Sequence, residues 1–476
     1  MRKGGCPSPQ RLTAPSPPPF DKTSRCCCCC WRGNANCGTL FLGTPGGFSS
    51  SSSDALPDWH WQTEKTSAGS VHENPHPTEP ALSNPLAHDH HSYASDNLSD
   101  MDADGLSEAT ARYEELDYPP LGAAALPRDH ERRAWTKAGI RFAPLHVPLV
   151  RRLQTLAILF HCTAIVLFPA IFFLVCANPF AWPLLIPYLI HLSVSTAATD
   201  GSLKYRSETL RSLPMWRLFG SYFPAKLHKT HDLDPEAKYI FGYHPHGIIS
   251  HGAWVAFGTN ALGFAQKFPG VTNTLVTLDS NFRIPFYRDW LLAMGLRSVS
   301  KESIWNILTR GGGDGQGAGR AVTIVVGGAR ESLEAEPRTL RVILDARKGF
   351  IKMAIRAGAD LVPVLGFGEN SLYDQLSPQT HPMVHRFQML CLRVFKFTLP
   401  ALHGRGVLNY DIGLMPYRRP VNIVVGKPVS VERSAVPDQE EIDRVHALYV
   451  AELRKLWDAY KDDFARDRKA ELEIIG

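Results

Sequence analysis

From Leu153 to Thr199 the chain runs without one charged side chain. The first part of that stretch, residues 153–176, exceeds the roughly 20 residues a helix needs to cross a bilayer core. Asn178 and Pro179 then carry turn chemistry, and the second part is broken by Pro183 and Pro187. The pattern predicts a membrane-embedded helical hairpin over 153–199. Arg133, Lys137, Arg141, Arg151 and Arg152 precede it, and Lys204, Arg206 and Arg211 follow it, which puts both ends on the cytosolic side. Full crossing by the second limb stays open, because its prolines free backbone groups that need protein or water as partners.

Beyond the hairpin the period changes. KYIFGY, TNTLVTLD, AVTIVVGG, DLVPVLGFG and VNIVVGKPV are short β-branched or aromatic runs separated by longer helical patterns. Such alternation predicts an α/β fold with a mixed, mostly parallel sheet over 200–476. In RKGFIKMAIRAGA, Phe350, Met353, Ala354 and Ala357 share one helical face and Gly358 suits the C-terminal cap. Ile442, Val445, Tyr449, Leu453, Trp457, Tyr460 and Phe464 recur at helical spacing, which predicts a long C-terminal helix that packs on the domain or the membrane without a catalytic part. The stretch at 387–402, interrupted by Arg393 and Lys396, suits either a core strand or an interfacial segment.

Residues 1–118 lack any sustained apolar period and are rich in Ser, Pro, Gly, Asp and His, so they read as a disordered tail, with 119–152 as a pre-membrane segment. Seven of the ten cysteines lie in that tail, at Cys6, Cys26 to Cys30 and Cys37, which is no disulfide framework. Palmitoylation or metal binding by the cysteine run, and metal binding by His88, His90 and His91, compete with an unstructured solvated tail. The basic start has no apolar run behind it, so it is not a cleavable signal. A net charge of +5 without a basic aromatic module suits an anionic membrane surface and argues against nucleic acid.

KYIFGYHPHG ends a predicted strand in two histidines, and the ends of strands are where open α/β sheets hold ligands. Side chains two apart on extended chain face the same way, so His244 and His246 address one site, with Pro245 fixing the backbone between them. An imidazole with an ordinary pKa of about 6.5 is a competent general base for an attacking hydroxyl. His246 is favoured over His244 because Gly247 beside it opens backbone space. The amides of Gly327 and Gly328, after another strand, are candidates for an oxyanion site. Glu331 either orients a histidine as the third member of a triad or is a helix-start carboxylate favoured by the macrodipole. Arg347 and Lys348 suit phosphate pairing, or a solvated helix start. His228, His231 and His251 read as structural or exposed. The glycine-rich run at 311–319 lacks the Lys-Ser/Thr of a P-loop and reads as a surface loop, and no GxSxG nucleophile elbow is present.

YFP at 222–224, HPHG at 244–247, VSKES at 299–303, VVGGARESL at 325–333 and RKGFIKMAIRAGADLVPVLGFGEN at 347–370 together resemble the type 2 diacylglycerol acyltransferase family, which includes monoacylglycerol and wax-alcohol acyltransferases. The resemblance covers about residues 130–476. It implies an endoplasmic-reticulum and lipid-droplet enzyme with a cytosolic catalytic domain, using acyl-CoA as co-substrate without metal or other cofactor. Catalysis then rests on His246, His244 and Glu331. The substrate-contacting set on the matched motifs is Tyr222, Phe223, Pro224, Pro245, Gly247, Gly327, Gly328, Arg347, Lys348, Gly349, Phe350, Glu369 and Asn370. Acyl-CoA, diacylglycerol and membrane lipids are the implied partners, with a homo-oligomer admitted and nucleic acid excluded. The glycerophosphate acyltransferases are a more distant likeness, but Ile248 and Ser250 stand where their aspartate would follow either histidine. FFLVCAN only loosely matches the family's lipid-binding FLxL pattern. A lipid-binding scaffold without catalysis is the reading from another class.

Overall fold

The computed structural model describes residues 118–121, 135–137, 140–142, 147–375, 381–395, 401–407 and 412–476. The predicted tail, with its cysteine run and histidine cluster, lies outside these apart from its last residue. Tyr118 is buried, its hydroxyl 2.7 Å from Glu452.

Seven strands form the central sheet: β3 (Lys226–Lys229), β4 (Tyr239–His244), β5 (Thr272–Thr277), β6 (Arg297–Ser298), β7 (Arg320–Val325), β9 (Asp360–Phe367) and β12 (Asn422–Val425). Three satellite pairs flank it: β1 (Trp135–Lys137) with β2 (Ile140–Phe142), β8 (Arg341–Ile343) with β13 (Glu473–Ile475), and β10 (Asp374–Gln375) with β11 (Leu402–His403). The sheet order is β3-β12-β9-β4-β7-β5-β6, and every neighbouring pair is parallel except β9 with β12. All five runs read as strands are strands. Sequence reasoning missed β3 and β6, one polar and the other only two residues long, both at sheet edges.

Central β4 is buried on both faces. Phe241 and Tyr243 enter one core, with Phe219 and Trp254, while Ile240 enters the other, with Ile351 and Leu453. The principal helices are α1 (Leu149–Cys176), α2 (Trp182–Val194), α3 (Pro214–Tyr222), α4 (Lys301–Thr309), α5 (Gly349–Ala357), α6 (Pro382–Phe395) and α7 (Gln439–Phe464). The first core lies under α1 and α3, the second under α4, α5 and α7. Gly358 closes α5 in the left-handed region at φ +62°, as its position predicts. Asp438 caps α7 by accepting from the Glu441 amide at 2.7 Å.

At 1.5 Å per residue, the 28 residues of α1 span about 42 Å, enough for a bilayer core of about 30 Å. It is long and apolar enough to cross a membrane, with Leu156, Val166, Phe173 and Leu174 exposed and Ala157, Ile158 and Ala164 buried. It starts at Leu149, ahead of the predicted boundary, and takes Arg151 and Arg152 into its first turn. The 13 residues of α2 reach only about 20 Å, too short to cross. The segment left between strand and interfacial readings overlaps the second half of α6, a helix that exposes Met383, Phe387, Leu390 and Val394 along one side.

Candidate active site

The segment after β4 turns back sharply. Gly247 and Ser250 both take left-handed backbone, at φ +58° and +59°. Two buried carboxylates hold this corner through its backbone amides. Glu331, in a single helical turn after β7, accepts the amide of His246 on one oxygen at 2.5 Å and that of Ile343 on the other at 2.7 Å. Glu369, following β9, accepts the His251 amide at 2.7 Å on one oxygen, and on the other the Gly252 amide at 2.8 Å and the Tyr243 hydroxyl at 2.9 Å. Burial pushes both carboxyls up from 4.5 to about 7, against the pull of these hydrogen bonds.

The two histidines sit in different surroundings. His246 is half-buried, and its Nδ1 lies 3.1 Å from the Gly247 carbonyl. A carbonyl only accepts, so Nδ1 carries the proton and the Nε2 lone pair is left for chemistry. Burial lowers the pKa of this ring and keeps it neutral. His244 is fully buried on the α7 side, where burial drives its pKa down to about 3. Its Nε2 lies 3.0 Å from the hydroxyl of Tyr449 on α7, and that hydroxyl also donates to the Gly242 carbonyl at 3.2 Å.

The structure therefore joins His246 and Glu331, but through the backbone amide and not the imidazole, so Glu331 is no triad partner here. Glu369 is likewise a brace of the loop rather than a wall of an open pocket. Gly247 is needed where it stands, since a Cβ there would come within 2.6 Å of the Glu369 side chain. Gly327 is held by the same logic, with a Cβ falling 1.9 Å from Glu331 Oε2. Gly328 opens onto free space in the first helical turn, where backbone N–H groups have no intrahelical acceptor. Tyr222 and Phe223 are core residues: the Tyr222 hydroxyl donates to the Pro416 carbonyl at 2.6 Å, and Phe223 packs 5.1 Å from the His251 ring. Pro224 leads from α3 towards β3. Lys348 is paired with Asp443 of α7 at 2.7 Å, and half-buried Arg347 donates to the Gly327 carbonyl at 3.2 Å. Gly349 opens α5, and Phe350 packs edge-on against Tyr449 at 5.2 Å. Asn370 donates to the Thr339 carbonyl and, with Pro245, Arg338, Phe367 and Trp457, lines a small cleft of about 70 Å³.

Sequence reasoning missed Tyr449, whose helical spacing reads as core; His251, read as structural or exposed, is structural, buried and bonded to Tyr373 at 3.2 Å. A signal for the tyrosine was present in KYIFGYHPHG. A glycine inside a buried strand marks close approach by another group, and a Cβ on Gly242 would lie 2.0 Å from the Tyr449 hydroxyl.

A family profile described as diacylglycerol acyltransferase matches residues 173–475. Diacylglycerol O-acyltransferase 2A of Umbelopsis ramanniana is 48% identical over 70% of this chain and 94% of its own. 2-Acylglycerol O-acyltransferase 1 of Bos taurus is 41% identical over 68% of this chain and 96% of its own. The crystal structure of a 1-acyl-sn-glycerophosphate acyltransferase from Thermotoga maritima aligns with 65% of this chain and 97% of that one, at 12% identity and a TM-score of 0.31, too slight a likeness to carry an argument.

Proposed function

The chain belongs to the diacylglycerol acyltransferase family, and on that premise we propose that it moves a fatty acyl group from acyl-CoA to the free hydroxyl of diacylglycerol. His246 is the general base. Its Nε2 takes the hydroxyl proton as the glyceride oxygen bonds to the thioester carbonyl carbon. When the tetrahedral intermediate collapses, the C–S bond breaks and the departing CoA sulfur takes that proton from the imidazolium. A thioester is reactive enough to need no covalent enzyme intermediate. The amides of Gly327 and Gly328 face the developing oxyanion, and the donor's pantetheine arm enters by the cleft beside Pro245. Helix α1 anchors the enzyme in the endoplasmic-reticulum membrane, with the α/β domain on the cytosolic side.

One observation carries this reading above the others: the half-buried His246 ring has Nδ1 pinned by Gly247, with Nε2 left as the basic nitrogen, on a corner braced by Glu331. The test is labelled acyl-CoA incorporation by membranes of a host without neutral-lipid synthesis, offered diacylglycerol, monoacylglycerol and a long-chain alcohol. Triacylglycerol from wild type and none from equally abundant His246→Ala is expected. Product only from another acceptor moves the enzyme towards the 2-acylglycerol relative or a wax-alcohol activity. No product from folded protein overturns catalysis and leaves a lipid-binding scaffold.

A further inference from the structure

Helix α7 carries a tyrosine into the catalytic corner. Tyr449 is fully buried, its ring packed edge-on against Phe350 and its hydroxyl between the Gly242 carbonyl and His244 Nε2. The hydroxyl has one proton to give. Donated to Gly242, which can only accept, it leaves the oxygen to accept from His244, so Nε2 bears the imidazole proton and Nδ1 the lone pair. His244 Nδ1 is buried and has no other hydrogen-bond partner. The register of α7 is fixed by two contacts in the turns just ahead of this one. Asp443 pairs with Lys348 at 2.7 Å, and His446 Nε2 donates to the Leu344 carbonyl at 3.1 Å. The strand makes room for the tyrosine with a glycine, because a Cβ at 242 would lie 2.0 Å from the hydroxyl.

We propose that Tyr449 is a positioning residue: its hydroxyl holds His244 as the Nε2–H tautomer in one orientation and so sets the aim of the turn that presents His246. This rests on the acyl-transfer reading above. Its effect is on the transition state and leaves substrate binding alone, because Tyr449 lies beneath the turn, away from the reacting atoms.

Tyr449→Phe keeps the ring and removes the bond. A misplaced catalytic group costs up to roughly a hundredfold in rate, so kcat is expected to fall about ten- to a hundredfold with KM for acyl-CoA and acceptor unchanged. Gly242→Ala attacks the same contact from the strand by expelling the hydroxyl. The two losses should not multiply: the double variant should retain about the activity of Tyr449→Phe, since the phenylalanine removes the oxygen 2.0 Å from the alanine methyl and leaves the ring carbon at 3.0 Å as its nearest neighbour. Membrane abundance and thermal midpoint in detergent confirm that each variant is folded. Wild-type kcat in folded Tyr449→Phe, a rise in KM in place of the fall in kcat, or losses that multiply in the double variant would each overturn the proposal. Absence of acyl transfer by the wild type would instead remove the reading on which it stands.

Discussion

Glu331→Gln tests whether the carboxylate braces the backbone or serves the imidazole. In the structure each oxygen accepts one buried amide, from His246 and from Ile343. Glutamine supplies one oxygen and one NH2, so whichever way it turns, one buried N–H faces another donor. A buried donor left unpaired costs about 1–3 kcal/mol, and at about 2–4 °C per kcal/mol for a domain of a few hundred residues the midpoint should fall by roughly 2–12 °C. The pH dependence carries the sharper expectation. Burial raises the carboxyl from 4.5 to about 7, a difference worth about 3 kcal/mol. A raised pKa means that the folded state holds the proton more tightly than the unfolded chain. Its contribution is therefore complete below about pH 4.5 and is lost as pH rises through about 7. Glutamine does not titrate, and Glu369 titrates alike in both proteins, so the gap between wild type and variant should narrow between pH 5 and 8. Thermal unfolding of detergent-purified protein across that range measures it. A gap constant with pH, or a variant of full stability whose pH-rate profile has moved, would refute the backbone brace and return Glu331 to the imidazole.

Adjacent glycines should separate sharply. Gly327→Ala drives a methyl onto Glu331 Oε2 and should reproduce the loss of that carboxylate, whereas Gly328→Ala meets nothing within 4 Å and bears only the left-handed strain of about 1–2 kcal/mol; thermal midpoints compare them. The acid limb of the pH-rate profile should lie below 6.5, because burial lowers the pKa of His246 and a general base works unprotonated; a limb above 6.5 would contradict the assignment. Phe387→Glu with Leu390→Glu, on the exposed side of α6, should slow transfer to a long-chain acceptor in vesicles about tenfold or more while sparing a detergent-dispersed short-chain one, since each buried apolar side chain is worth about 1.5–3 kcal/mol. Equal loss in both assays would put α6 to another use.

The strands and α5 were legible because their signals are local: β-branched runs for β4, β5, β7, β9 and β12, and a periodic face ended by Gly358 for α5. Edge strands β3 and β6 carry no such run and take their form from the neighbours they pair with. At the site, HPHG marked the corner, but the partners of each group lie far off in the chain. Glu331 was read against the side chain it might orient, while its contact is to an amide, and backbone groups leave no mark in a sequence. Tyr449 stands 205 positions from His244, and its spacing on α7 is that of a core residue. Only the glycine of β4 pointed to it.

On the proposed acyl-transfer reading, strand alternation lets one corner face two substrates of opposite solubility. Neighbours in β4 face opposite layers, so Tyr243 reaches Glu369 on the α1 side while His244 reaches Tyr449 on the α7 side. The α1 side is tied to that long apolar helix directly: the His161 ring packs 4.5 Å from Trp254 and 5.6 Å from His251, whose amide Glu369 holds. Glu369 fills the space that a side chain at 247 would take. A run of packed groups thus leads from α1 through His251 and Glu369 to Gly247, next to His246. His251, Glu369 and Gly247 are buried, and close-packed interiors transmit displacement instead of absorbing it. If α1 is seated in a bilayer, as proposed above, its depth there would set the height of the His246 ring. On the proposed acyl-transfer reading, an acceptor hydroxyl at the membrane surface would then meet that ring without leaving the lipid, and the thioester would arrive from the water on the α7 side.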